Sequence, residues 1–368
     1  MSWYKSNVLE TDKKAGIYGA EWDGSSSTVW LRTDDAALFA EPIPQMSNGS
    51  GGWTQGSSPF DDIMPWAGMV VSEDSNAGTV VAIPKFYFKL GYANETSPRG
   101  LKIQISSTPQ EGFQVSPAHM DRGDGAGERD VVYVGRYHCG SWDYKSSTGD
   151  SPYTSITRAT ARSTIHNLGS NIWQWDFATR FTIWLLYLVE FADWDSQSDI
   201  GYGCGNNSRA QNMGYTDSMP YHTGTTQSSR TTYGLGTQYR HIEGLWDNVG
   251  DWLDGAYYNS DGLNIILNPA NFSDSSGGIA VGVPSSGYPS AFDVKMVNGT
   301  YSVIIPTAKS ESGGTTFSCD NWGFASTSPC LWGGGDYYQD LSRGLFCVGG
   351  GTTVYASANR GSRLMILP

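Results

Sequence analysis

The stretch 176–193 constrains the fold more than any other part of the chain. It sets Phe177, Phe181, Trp184, Leu185, Leu188 and Phe191 at helical spacing. Residues 157–168, closed by Gly169, give a second helical signal. Elsewhere the apolar runs are short and strand-like: 28–33, 67–71, 79–88, 101–105, 130–134, 262–267, 301–305 and 362–367. Two helices among many strands predict an α+β domain.

What fills the space between these runs is unusual. The chain of 368 residues holds 46 Gly, 14 Trp and 21 Tyr with only 16% charged residues, so long polar loops must be ordered by aromatic side chains packed beneath or upon them. Paratopes use the same chemistry. Residues 201–239 are almost wholly Gly, Ser, Thr, Asn and Tyr, too long a span for an ordinary connection. The Gly/Ser-rich bridge 47–52 is the clearest composition break, which predicts a small β-rich N-terminal region, 1–58, and a larger domain, 59–368.

Composition also excludes partners. A net charge of −13 with no basic run argues against nucleic acid. No apolar run reaches the roughly 18 residues of a membrane span, and Met1-Ser2-Trp3-Tyr4-Lys5 does not open a secretory leader, so a soluble protein made in a cytoplasm is expected, without membrane insertion. The five cysteines are scattered, odd in number and form no CxxC pair; free thiols are expected.

Catalytic and metal chemistry find little support in the spacing. His119, His138, His166, His222 and His241 form no i,i+4 pair. Glu190, Asp193, Asp195 and Asp199 are read as a solvated helix end, and Asp121 to Asp130 as a charged turn that lacks the full calcium-loop pattern. No catalytic residue, metal or cofactor is expected. Trp173, Trp175, Trp184, Trp246 and Trp252 are read as core.

Several segments resemble known proteins. Leu185-Leu186-Tyr187-Leu188-Val189-Glu190-Phe191-Ala192-Asp193, Ile200-Gly201-Tyr202-Gly203 and Gly244-Leu245-Trp246-Asp247-Asn248-Val249-Gly250-Asp251-Trp252 resemble the C-type-lectin-like fold of formylglycine-generating enzymes. Ile83-Pro84-Lys85-Phe86-Tyr87, Gly112-Phe113, Ser116-Pro117-Ala118-His119, Tyr133-Val134-Gly135-Arg136-Tyr137 and the ending Gly361-Ser362-Arg363-Leu364 are similar to phage tail proteins, including the variable proteins of diversity-generating retroelements.

That resemblance implies an α+β, C-type-lectin-like fold with two helices packed on short antiparallel sheets. It implies a phage tail adhesin, made in the bacterial cytoplasm and carried on the virion tail, that is not an enzyme. Its partners would be a host cell-surface protein or glycan and other tail proteins, and the protein would be a homo-oligomer, as a trimer. The variable segment would span about 319–363. Within it the resemblance points to Asn321, Trp322, Leu331, Trp332, Tyr337, Tyr338, Leu341, Ser342, Leu345, Cys347 and Tyr355 as ligand-binding, among scaffold glycines Gly333, Gly334, Gly335, Gly344 and Gly350. Two readings compete with it: these aromatics fill the core, or the protein is a structural tail or baseplate component.

Overall fold

A computed structural model describes residues 16–94, 100–205, 207–311, 315–338 and 342–368. Three α-helices are present among them: α1 (Arg158–His166), α2 (Phe177–Phe191) and α3 (Ser196–Asp199). Helix α2 forms where the aromatic spacing predicts it. Asp176 caps it by accepting the Thr179 N–H at 2.8 Å, and Ala192, with φ of 53°, turns the chain out of it. Every residue of α2 is buried, Arg180 and Glu190 included, so it is a central helix covered all round. Helix α1 starts at the Thr157 cap, as its sequence predicts.

Five sheets surround these helices. The first runs β2 (Leu31–Asp34), β1 (Ile17–Trp22), β7 (Leu101–Ser106), β6 (Tyr87–Gly91), β8 (Gln114–Val115). The second runs β10 (Ile172–Gln174), β22 (Leu364–Ile366), β9 (Val131–Gly135), β5 (Gly78–Pro84), β4 (Val71–Asp74). The third joins β13 (Ile242–Glu243), β12 (Thr237–Tyr239), β11 (Gly224–Thr225) and β3 (Gln45–Met46). The fourth, which carries the candidate site, runs β16 (Ile279–Gly282), β15 (Gly262–Ile265), β14 (Gly250–Asn259), β19 (Cys330–Gly333), β20 (Val348–Gly351), with β21 (Arg360–Gly361) parallel to the start of β14. The fifth is a long hairpin of β17 (Tyr288–Val297) and β18 (Tyr301–Ser310).

This corrects the expected fold class. With 34% strand against 10% helix, spread over five sheets, the protein is β-rich, and neither an α+β domain of two helices packed on small sheets nor the C-type-lectin-like assignment describes it. The reason is physical. Strands such as β11, β12 and β17 lie in Gly-, Ser-, Thr- and Pro-containing sequence with weak alternation, and pairing rather than local pattern stabilises them: β11 with the distant β3, β12 with β11, and β17 with β18 across a hairpin. Sequence on both sides of the Gly/Ser bridge shares one core: β1 pairs with β7, and Trp22 packs edge-on to Trp194 at 5.9 Å.

Buried carboxylates order the polar stretch 201–239. Glu243 accepts the N–H groups of Gly214 (2.8 Å) and Thr216 (2.9 Å), and Asp247 accepts from the Tyr215 hydroxyl (2.8 Å) and the Thr237 N–H (2.8 Å). Burial pushes Glu243 up to about 7 and Asp247 up to about 6. The acidic residues after α2 are not a solvated helix end. Glu190 is fully buried and ion-paired to Arg240, and Asp199 accepts from the Tyr187 hydroxyl at 2.7 Å. Among the described residues no helix is long and apolar enough to cross a membrane.

Candidate ligand-binding face

The site is built on β19 and β20, paired so that Trp332 lies opposite Gly349. A Cβ on Gly349 would stand 2.1 Å from the Trp332 ring, so only glycine lets the indole lie flat across the neighbouring strand. Over that indole sit two guanidinium groups. The Cζ of Arg360 is 3.8 Å from the ring centroid and that of Arg343 is 5.1 Å away, which leaves Trp332 only 6% exposed.

Asp336, itself buried, organises the adjoining loops. Its carboxylate accepts from the Tyr338 N–H (2.9 Å), from Asn359 Nδ2 (3.0 Å) and from Arg360 Nη1. The main chain of Tyr337 is tied as well, donating to the Asn248 carbonyl at 3.0 Å and accepting from the Asn207 N–H at 2.7 Å. The turn that presents Tyr338 is therefore fixed, and its side chain is 75% exposed. Tyr355, beyond β20, is 39% exposed and meets the Trp252 ring edge-on at 6.1 Å.

Next to Trp332 the surface opens into a cleft of about 430 Å³, whose walls include Ser286, Asn321, Phe324, Ser328, Trp332 and Arg343. Among the described residues of its lining, Arg343 is the charged one. The cleft exists because residues 321–324 leave the edge of β20. Asn321 and Gly323 still bond to Val348, at 3.2 and 2.8 Å, whereas Phe324 turns away to take the Ser286 hydroxyl at 2.9 Å. Among the described residues no carboxylate bonds to Arg343, and its Nε is buried without a partner.

The predicted ligand-binding residues divide. Asn321, Trp322 and Trp332 do converge on the cleft, and Tyr338 and Tyr355 are exposed, with Tyr337 and Ser342 half-buried. Trp322, Leu331, Leu345 and Cys347 are core residues. Trp322 packs on Trp184 at 5.6 Å, and the Leu345 carbonyl accepts from Arg180 Nη2 (2.6 Å) and Trp184 Nε1 (2.9 Å). Their side chains are spent on packing: β19 is buried on both faces, and Trp322, Leu345 and Cys347 are buried at 1%, 0% and 0% exposure. Leu341 lies outside the described residues. The glycines are scaffold as expected: a Cβ would meet Arg180 at Gly333, the Arg343 carbonyl at Gly335 and Asp320 at Gly344.

Sequence reading missed Asp336, Arg343 and Arg360. Isolated charges in a Gly-rich run carry no periodic signal. The one clue is that Arg360 stands three residues before Arg363, whose guanidinium is buried and donates to the carbonyls of Gly135 (2.8 Å), Arg136 (2.9 Å) and Glu243 (2.7 Å). All five cysteines are free and buried, with Cys347 pushed up to about 11 by burial, so none stands as a ready nucleophile. Among the described residues no group of three or more His, Cys, Asp or Glu converges to hold a metal ion. Fixed aromatics, a guanidinium and hydroxyls around an open cleft suit reversible binding of a polar ligand. No family model matches this chain, and no curated protein matches it.

Proposed function

We propose that this protein is a receptor-binding adhesin of a phage tail, without catalysis of its own, that holds a host cell-surface ligand on the face around Trp332. The observation that carries the reading is the fixed display of Tyr338. A buried carboxylate anchors its turn while three quarters of the side chain faces solvent, and the Arg343 guanidinium lines the cleft next to Trp332. Large aromatics held rigidly at the surface lose little freedom on contact and concentrate binding energy. On this reading Asn321, Tyr337, Tyr338, Ser342 and Tyr355 touch the ligand, and the buried members of the segment serve as scaffold. Exposed Val29, Leu31, Leu38 and Ile43 support attachment to other tail proteins, or to further copies in a trimer, through the N-terminal region.

The test is binding of purified protein to candidate host cells. Tyr338→Ala combined with Tyr355→Ala, and separately Ser328→Trp to fill the cleft, are expected to weaken binding roughly 10-fold or more while Tm is unchanged. Wild type that binds no host, together with a face buried in a purified tail complex, would favour a structural tail component.

A further inference from the structure

Among the described residues, Trp142 is the most exposed tryptophan. Its side chain is 80% exposed, on a loop outside the C-terminal segment. Fraying does not explain the exposure. The buried Asp150 accepts the Trp142 N–H (2.9 Å) and the Ser141 hydroxyl (2.9 Å), and its carboxylate lies against Gly140, where a Cβ would stand 2.3 Å from it. Main-chain bonds close the loop twice, from Gly140 N to the Lys145 carbonyl (2.8 Å) and from Ser141 N to the Ser151 carbonyl (2.9 Å). Tyr144 is held at φ 63° with its ring against Tyr153 at 4.8 Å. The backbone is thus turned inward and the indole outward by design of the hydrogen bonds.

The neighbourhood narrows the ligand. Ser141 and Ser151 share a hydroxyl pair at 2.9 Å, Thr148 and Ser147 follow, and Asn212 donates to the Gly149 carbonyl at 3.0 Å. The adjacent Asp143 is exposed. An exposed indole on a loop built of Ser141, Asp143, Ser147 and Thr148 offers an apolar ring on a hydrogen-bonding loop, the pairing that the alternating C–H and O–H groups of an uncharged sugar ring require. A protein hot spot would be ringed by apolar neighbours, and a membrane-inserting tip would not carry Asp143 beside it.

We propose that Trp142 is a platform for an uncharged sugar ring, a binding site separate from the cleft. Just beyond the loop, Ser155 N donates to the Ser357 carbonyl at 2.9 Å, which ties this part of the chain to the C-terminal segment. The experiment compares wild type, Trp142→Ala and Trp142→Tyr for retention on immobilised neutral oligosaccharides of hexose and N-acetylhexosamine. Vesicles of phosphatidylethanolamine and phosphatidylglycerol serve as the second probe.

Expected are retention of wild type on at least one oligosaccharide, a loss of roughly 10-fold or more in Trp142→Ala, partial rescue in Trp142→Tyr, and protection of Trp142 from oxidation by the bound sugar. No retention of wild type, equal retention of Trp142→Ala, or Trp142-dependent binding to the vesicles alone would overturn the proposal. The result is independent of host-cell binding. Sugar retention that depends on Trp142 in a protein that binds no host would leave this site standing and remove the adhesin reading.

Discussion

Trp332 and Trp142 sit in similar sequence, each among Gly, Ser and Asp, and do opposite things. Trp332 lies flat over Gly349 beneath Arg360 and Arg343, and Trp142 stands out from a loop whose inward pull comes from Asp150. In both regions a buried carboxylate fixes the backbone. What differs is the cover. The C-terminal strands bring two arginines, 11 and 28 residues beyond the indole, back over it (343 − 332 and 360 − 332), whereas among the described residues none is brought back over Trp142, which is 80% exposed. Residue type and local composition therefore do not decide whether an aromatic is held or shown. The long-range partners of its neighbours decide it.

The sharpest way to break the comparison is truncation of each indole. Trp332→Ala should cost about 3–5 kcal/mol, because a flat ring under two guanidiniums leaves a void and strands Arg360. Trp142→Ala should change stability by no more than about 0.5 kcal/mol. Denaturant melts of the pair would measure it, and equal losses would show that Trp142 is packed after all.

The pins come next. Asp336→Ala removes the acceptor of three donors, and Asp150→Ala that of the Trp142 N–H and the Ser141 hydroxyl; each is expected to lose about 1–3 kcal/mol. Faster amide exchange confined to residues near 336–338 in the first variant and 141–151 in the second would sharpen the comparison. Global loosening by either would break it. Gly349→Ala should cost about 1–3 kcal/mol by pushing the Trp332 ring off the strand, read as a fall in Tm.

The smallest effect is one of pH. Asp320 accepts the N–H groups of Gly344 and Phe346 in the turn before β20, and burial pushes it up to about 7, as it does Glu243; Asp247 rises to about 6. Unfolded carboxyls release their protons near 4. Between there and about 7 these carboxyls hold protons in the folded state that they release in the unfolded one, so what they contribute to stability falls as pH rises through that window, while His119 and His241, which burial holds down to about 3, act in the opposite sense. Relative to wild type, Asp320→Asn should shift the Tm difference between pH 5 and pH 8 in favour of pH 8 by about 1–3 °C. An unchanged difference would refute the assignment.

The sequence made α2 legible because a full turn-by-turn aromatic repeat leaves few alternatives, and the caps at Asp176 and Thr157 lie where such residues belong. It drew attention to 319–355, where Asn321, Trp322 and Trp332 do line one cleft. It did not separate Trp322, packed on Trp184, from Tyr338 in open solvent, since both are aromatics among polar residues and only distant contacts distinguish them. The β-rich architecture was hidden for another reason: β17 and β18 pair as a local hairpin of ten-residue strands, yet their mixed polar and apolar sequence alternates weakly and only part of β18 reads as a strand. Trp142 carried no signal, because Trp142 and Tyr144 stand in a short polar run without periodicity.

The span from β20 to β21 is fastened at both ends, by pairing with β19 before it and by Arg360 and Arg363 after it, while residues 352–356 lie exposed between. A stretch held only at its ends carries little of the core's packing, so substitutions at its exposed positions 352–356 should leave the surrounding frame in place.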